Sequence, residues 1–192
     1  MLKYVQALSK VHDKTNEKQI FEVDPRAYTT VKMMNGLLRL ADGQYKNAGS
    51  CLIDIPYPFE PEANYASVFS TEDIALYGAL CTVAYTEHGE LKMMLDPMSD
   101  RYRKSFDEYL KTDTTARAIV DMVLDREYFK LFALIGNIMP KIRLDIYVSK
   151  HIDGIVDALK DNMICHYFVP FTKVSLQRMA EDLSLSLQGN YY

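Results

Sequence analysis

One stretch limits the possible folds more than any other. In 74–85, IALYGALCTVAY, the residues Ile74, Ala75, Leu76, Tyr77, Ala79, Leu80, Cys81, Val83 and Ala84 leave no polar stripe on a helix. A helix with one face in water needs such a stripe, so this one must be covered on several sides. Ser70, Thr71, Glu72 and Asp73 before it supply the residue types of a capping box, which gives the helix a defined start. Each fully buried Leu or Ile contributes roughly 1.5–3 kcal/mol. The fold expected is an array built around this helix, and a charge at Leu80 is the most damaging single change.

The rest of the chain supplies helical neighbours. Glycine (8) and proline (7) are sparse among 192 residues, so helix breaks are widely spaced and no hairpin-like turn pairs occur. Pro56, Pro58 and Pro61 fall in one aromatic loop, 55–69, with Tyr57, Phe59, Tyr65 and Phe69. Asp24 and Pro25 open a helix with Val31, Met34, Leu37, Leu38 and Ala41 inward, and Gly43 is placed for a left-handed C-cap. Gln44 opens the next, with Tyr45, Ala48 and Leu52 inward. Two helices joined by so short a turn have the form of one solenoid repeat.

Further helices are expected over 2–11 and 90–95, around Tyr102, Phe106, Tyr109 and Leu110, and around Ala118, Ile119, Met122 and Val123 with Asp113 or Thr114 as cap. One more runs from Tyr128 to Met139, where Pro140 ends it, and a short one passes through Ile142, Ile146 and Tyr147. The class is all-α, with about ten helices stacked as antiparallel pairs.

The segment 149–183 reads as two amphipathic helices separated at Pro170. Ile152, Ile155, Val156, Leu159, Met163 and Tyr167 share one face of the first, and Asp153, Asp157 and Asp161 form a stripe on the other. Thr172 or Ser175 caps the second, whose apolar face is Val174, Leu176, Met179, Ala180 and Leu183. The acidic stripe reads either as a solvated face or as a docking stripe for a basic partner. Tyr167, Phe168 and Phe171 read either as junction packing or as interface anchors.

Charge and motifs exclude several functions. A net charge of −4 argues against non-specific attraction to nucleic acid or to an anionic membrane. No run of 18 apolar residues exists to span a membrane as a helix. Cys51, Cys81 and Cys165 are odd in number, unrelated in spacing and set in apolar patterns. They read as buried thiols in a reducing compartment, hence a cytoplasmic and nuclear protein. His12, His88, His151 and His166 show no metal-ligand spacing, and the adjacent Cys165 and His166 point about 100° apart on a helix. No GxSxG, phosphate-binding glycine loop or Cys–His signature occurs. No catalytic residue, metal, cofactor or small-molecule ligand is therefore expected.

Six segments taken in order resemble the PCI family, which spans the proteasome lid, the COP-9 signalosome and initiation factor three. They are 43–52 GQYKNAGSCL, 71–84 TEDIALYGALCTVA, 102–110 YRKSFDEYL, 145–147 DIY, 165–171 CHYFVPF and 174–183 VSLQRMAEDL. IALYGALC favours the signalosome branch over the lid branch. The resemblance implies a right-handed superhelix of TPR-like helix pairs over 1–148, leading into the helical end of a PCI domain and the start of its winged helix over 149–192. It implies a non-catalytic scaffold whose partners are other PCI subunits of the signalosome, which removes a ubiquitin-like modifier from cullins through a different subunit. A lid subunit and a nucleic-acid-binding winged-helix protein are the alternatives. After 183 only SLSLQGNYY remains, too short for the second helix and wing, so the winged helix is expected to be incomplete and the chain truncated. Candidate partner-binding residues are Asp153, Asp157, Asp161, Tyr167, Phe168, Phe171 and Arg178. Only Lys173 and Arg178 are basic around the winged-helix start, too few for a DNA reader.

Overall fold

In a computed structural model the chain is described over residues 25–60 and 68–168, with 175, 177 and 179. Eight helices run through these residues, and no strand occurs among them. In chain order they are α1 (Pro25–Ala41), α2 (Tyr45–Ile53), α3 (Thr71–Tyr85), α4 (His88–Leu95), α5 (Lys104–Thr112), α6 (Thr114–Leu124), α7 (Tyr128–Ile142) and α8 (Ile152–Phe168). The helix expected over 2–11 lies outside the described residues. Of the one expected after Pro170 only 175, 177 and 179 are described: Gln177 and Met179 are helical, Met179 is buried, and its N–H donates to the Ser175 carbonyl at 3.0 Å.

The hub is α3. Ser70 Oγ accepts from the Asp73 N–H, and the Asp73 carboxylate accepts from the Ser70 N–H, so both arms of the capping box are formed. Every residue from Ile74 to Ala84 except Leu76 is buried. The sequence reading of a helix covered on several sides is borne out: α2, α5, α6 and α8 all pack against it. Its crossing with α2 is close because both helices carry glycine there. A Cβ on Gly49 would stand 3.1 Å from Cys81 Cβ and 3.2 Å from the Thr82 backbone nitrogen.

Helix α1 ends as expected. Gly43 has φ +71°, its N–H donates to the Leu40 carbonyl, and the Gln44 N–H donates to Arg39, the two bonds of a Schellman motif. Its inner face is not the expected one. Thr29, Met33, Gly36 and Leu40 are buried, whereas Val31, Met34, Leu37 and Leu38 are half-buried and Ala41 is exposed. Two causes rotate the helix. Gly36 lets α2 approach closely, since a Cβ there would meet Leu52 Cδ2 at 2.8 Å. Thr29 and Thr30 satisfy their hydroxyls internally, each donating at 2.9 Å to the carbonyl four residues back, and so tolerate burial.

Three further expectations are corrected. Pro140 does not end its helix, because α7 continues through it to Ile142. The missing N–H leaves the Gly136 carbonyl without its i+4 donor, and Gly136 is exposed, so water can take that place. No short helix joins Ile142 to Tyr147, since 143–151 is a series of turns and Ile146 is 84% exposed rather than inward. Cys165 is exposed and Cys51 half-buried, so of the three thiols only Cys81 is buried.

Candidate interaction surfaces

The C-terminal helix α8 is held against the array at three points, and these decide which of its faces is free. At its start, Tyr45 Oη and His151 Nδ1 lie 3.2 Å apart, and the Tyr45 hydroxyl stands 3.3 Å from where a Gly154 Cβ would be. In its middle, the Asn162 amide donates to the carbonyls of Val83 and Thr86, both at 3.0 Å, closing the C-terminal end of α3. Near its end, His166 is buried and its Nε2 accepts the His88 backbone N–H at 3.2 Å.

That last contact settles the tautomers. His88 Nε2 lies 2.9 Å from the Leu124 carbonyl, so it carries the proton and donates. His166 Nε2 accepts, so its proton sits on Nδ1, a buried atom with no partner among the described residues. Burial, and then the charges of His88 and Arg126, hold the His166 imidazole below the usual histidine range, against a weaker opposing effect of Glu87. The buried thiol expected at Cys165 is corrected, since Cys165 is exposed. Cys165 faces out and His166 faces in, because Tyr167 is only half-buried and the inner stripe runs Ile152, Ile155, Val156, Leu159, Met163, His166.

The outward face of α8 carries the acidic stripe. Asp153, Asp157 and Asp161 are all exposed. Asp153 receives Arg143 at 2.7 Å and Asp157 receives Lys160 at 3.2 Å. Pairs this exposed contribute about 0–1 kcal/mol and exchange readily for other partners. Phe168 is 43% exposed at the end of the helix. Phe171 and Arg178 lie outside the described residues, so the structure brings together only part of the expected partner-binding set.

The sequence reading overlooked a joint. Asp145 accepts a short hydrogen bond from Tyr77 Oη with one oxygen, and the N–H groups of Tyr147 (2.8 Å) and Val148 (2.9 Å) with the other. One carboxylate thus ties the turn before α8 to the hub. Burial, then the bond to Asp145, raise the Tyr77 phenol far above its usual range. The signal in the sequence was an aspartate two residues before an unpaired N–H, the pattern of an Asx turn. Elsewhere, Tyr109 donates to the Pro56 carbonyl at 2.8 Å and the Tyr57 ring meets it edge-on, which pins the proline loop. Asp107 would be raised by burial, but hydrogen bonds from Lys111 and Tyr102 and the charges of Lys111 and Arg117 bring it below the usual carboxylate range.

Reactive chemistry finds little to work with among the described residues. No group of three or more metal-ligating side chains occurs there, and no helix is long and apolar enough to cross a membrane. Burial pushes the Cys81 thiol up to about 12, which suppresses its thiolate.

Comparison with known proteins supplies the family context. Residues 1–94 match the family model for 26S proteasome subunit RPN7. The chain is 26% identical over 170 residues to COP9 signalosome complex subunit 1 of Arabidopsis thaliana, covering 87% of this chain and 36% of that protein. It is 29% identical over 160 residues to the Neurospora crassa protein of the same name, covering 81% and 36%. It is 22% identical over 166 residues to a 26S proteasome non-ATPase regulatory subunit 11 homolog of Arabidopsis thaliana, covering 86% and 37%. The chain spans about a third of the length of these relatives. Tyr77 and Asp145, from two of the segments that carry the resemblance, meet in one hydrogen bond.

Proposed function

We propose, from the premise that the chain is a relative of COP9 signalosome subunit 1, that it is a non-catalytic scaffold segment within a signalosome-type assembly of the cytoplasm and nucleus. Its role is to hold other PCI subunits in place while a different subunit acts on cullins. The observation carrying this reading is where the resemblance falls. Its described segments fall on α2, on the hub helix, on α5, at the Asp145 joint and at the C-terminal end of α8, which supports a role in positioning surfaces rather than in building a reaction centre. A lid subunit is the second reading, favoured by the family-model match over 1–94.

Co-expression with the remaining signalosome subunits, followed by size exclusion and mass spectrometry, tests the proposal. Co-elution with those subunits is expected. Co-elution with lid subunits instead moves the chain to the second reading. A chain that elutes alone, or that binds nucleic acid with a steep salt dependence, sinks both.

A further inference from the structure

Helix α7 is apolar on two sides, and only one of them is used. Its principal neighbour is α6, and Tyr128, Leu131, Ile135 and Ile142 are buried on its inner side. At about 100° per residue the opposite side presents Phe129, Ala133, Gly136 and Pro140 in one row, at steps of four, three and four. All four are exposed, Phe129 to 63%. Leu144, 86% exposed, prolongs the row past the end of the helix. The centre of the row is shallow, because nothing lies within 4 Å of where a Gly136 Cβ would be. A bulky residue at each end with a low middle is the relief into which a second helix settles.

Charge decides what kind of helix. Residues 128–144 contain Lys130, Lys141 and Arg143 and no acidic residue, in a chain of net charge −4. Around the helix axis Lys130 and Lys141 flank the row on one side and Arg143 on the other. Lys130 and Arg143 engage Glu127 and Asp153 in exposed pairs, which exchange for a better-placed carboxylate. The chain's own N-terminal stretch has an apolar face, Leu2, Val5, Leu8 and Val11, but residues 1–12 carry Lys3 and Lys10 and no acid, so they repel this rim. Two copies meeting α7 to α7 would oppose like charges as well. The acidic stripe of α8 in a second copy has the right charge, but along Asp153, Gly154, Asp157 and Asp161 it offers no apolar ridge, and its exposed apolar residues, Cys165 and Phe168, are confined to the helix end.

We propose that the outer face of α7, formed by Phe129, Ala133, Gly136 and Pro140 and rimmed by Lys130, Lys141 and Arg143, docks an acidic amphipathic helix of a partner protein. The mode is helix against groove, with apolar anchors at i, i+3, i+4 and i+7 and carboxylates on both flanks. The basic rim steers the partner and sets its register, and the apolar row holds it.

The test uses the full chain and two synthetic helical peptides of about four turns. Both carry the same Leu/Phe ridge, one with Glu on its flanks and the other with Lys. Fluorescence anisotropy at low and at moderate salt should show the Glu peptide binding at least tenfold tighter, with the advantage shrinking as salt rises. Ala133→Glu should weaken the Glu peptide at least tenfold, and the double change Lys130→Glu with Lys141→Glu should reverse the preference. All three positions are exposed, so unchanged circular dichroism and melting temperature would confirm that the variants fold. A photo-crosslinker in place of Ala133 reports the occupant in the assembled complex, where an acidic helical segment of another protein is expected. Equal binding of the two peptides, absence of binding, indifference to Ala133→Glu, or crosslinks confined to residues 1–24 or to a second copy each overturn the proposal.

Discussion

Asp145 links segments 68 residues apart, and its carboxylate serves three donors at once. Replacing it by alanine leaves the Tyr77 hydroxyl and two backbone N–H groups without an acceptor. Each partly buried orphan costs about 1–3 kcal/mol at most, with water recovering part of it. Asp145→Ala is therefore expected to lower stability by about 2–3 kcal/mol in urea titration, and Asp145→Asn by clearly less, because the amide oxygen still accepts. A midpoint unchanged by the alanine would remove the joint from the account. His166 makes a pH-dependent contribution of definite sign. Its folded-state affinity for a proton is depressed, so the unfolded chain binds more protons around the ordinary histidine value of 6.5. Stability from this group is complete above that value and is lost as pH falls toward the lower folded value. The melting temperature should drop between pH 7 and pH 5.5, and His166→Gln should flatten that part of the profile. Parallel profiles for the two proteins would contradict the assignment.

At the scale of elements, two of the helical glycines, Gly49 and Gly136, make a controlled comparison. Both would gain about 1 kcal/mol from alanine by helix propensity alone. At Gly136 the new methyl meets nothing within 4 Å, so Gly136→Ala should stabilise by close to that amount. At Gly49 it meets the Cys81 side chain and the Thr82 backbone at 3.1–3.2 Å, and overpacking costs about 1–3 kcal/mol. Gly49→Ala should be less stable than the parent protein by thermal melting, the opposite sign from Gly136→Ala. Two changes of the same sign would show that α2 and α3 do not cross at the observed distance. The same contacts explain what could be read from residues alone. Helix α3 was legible because a continuous apolar surface permits one outcome, burial all round. The phase of α1 was not, since periodicity weights Val31 and Leu37 above Thr29 and Gly36. The selection of the buried face was made by a missing Cβ opposite Leu52 and by two self-satisfied threonines. Pro140 misled because the carbonyl it leaves unpaired, that of Gly136, belongs to an exposed residue open to water, so the helix continues past it. The acidic stripe of α8 was legible from spacing. The apolar row of α7 went unread because Phe129, Ala133, Gly136 and Pro140 look like additional core until α6 is seen to cover only the other side.

Whether the array melts repeat by repeat or as one body depends on α3. A linear solenoid, whose repeats touch only their nearest neighbours, unfolds in pieces. Here the hub packs on α2, α5, α6 and α8, elements drawn from both halves of the chain, and uncovering it requires displacing all of them. The cysteines report on this directly. Cys165 is exposed on α8 and should react with a thiol reagent at once in the native protein. Cys81 is fully buried in α3, and its thiol is raised to about 12, so the folded state offers the reagent neither access nor thiolate. Its labelling then requires opening of the hub, and the free energy of that opening should equal the global one. With Cys165 and Cys51 replaced by serine, the labelling rate of Cys81 should rise with urea along the same slope as the loss of far-ultraviolet circular dichroism. Labelling that begins at lower urea, while helix content is intact, would mean that α8 or α2 detaches first and that the hub is exposed by local opening. Coincident curves would make the described helices one cooperative unit, the rigidity needed for the outer faces of α7 and α8 to keep a fixed geometry toward separate partners.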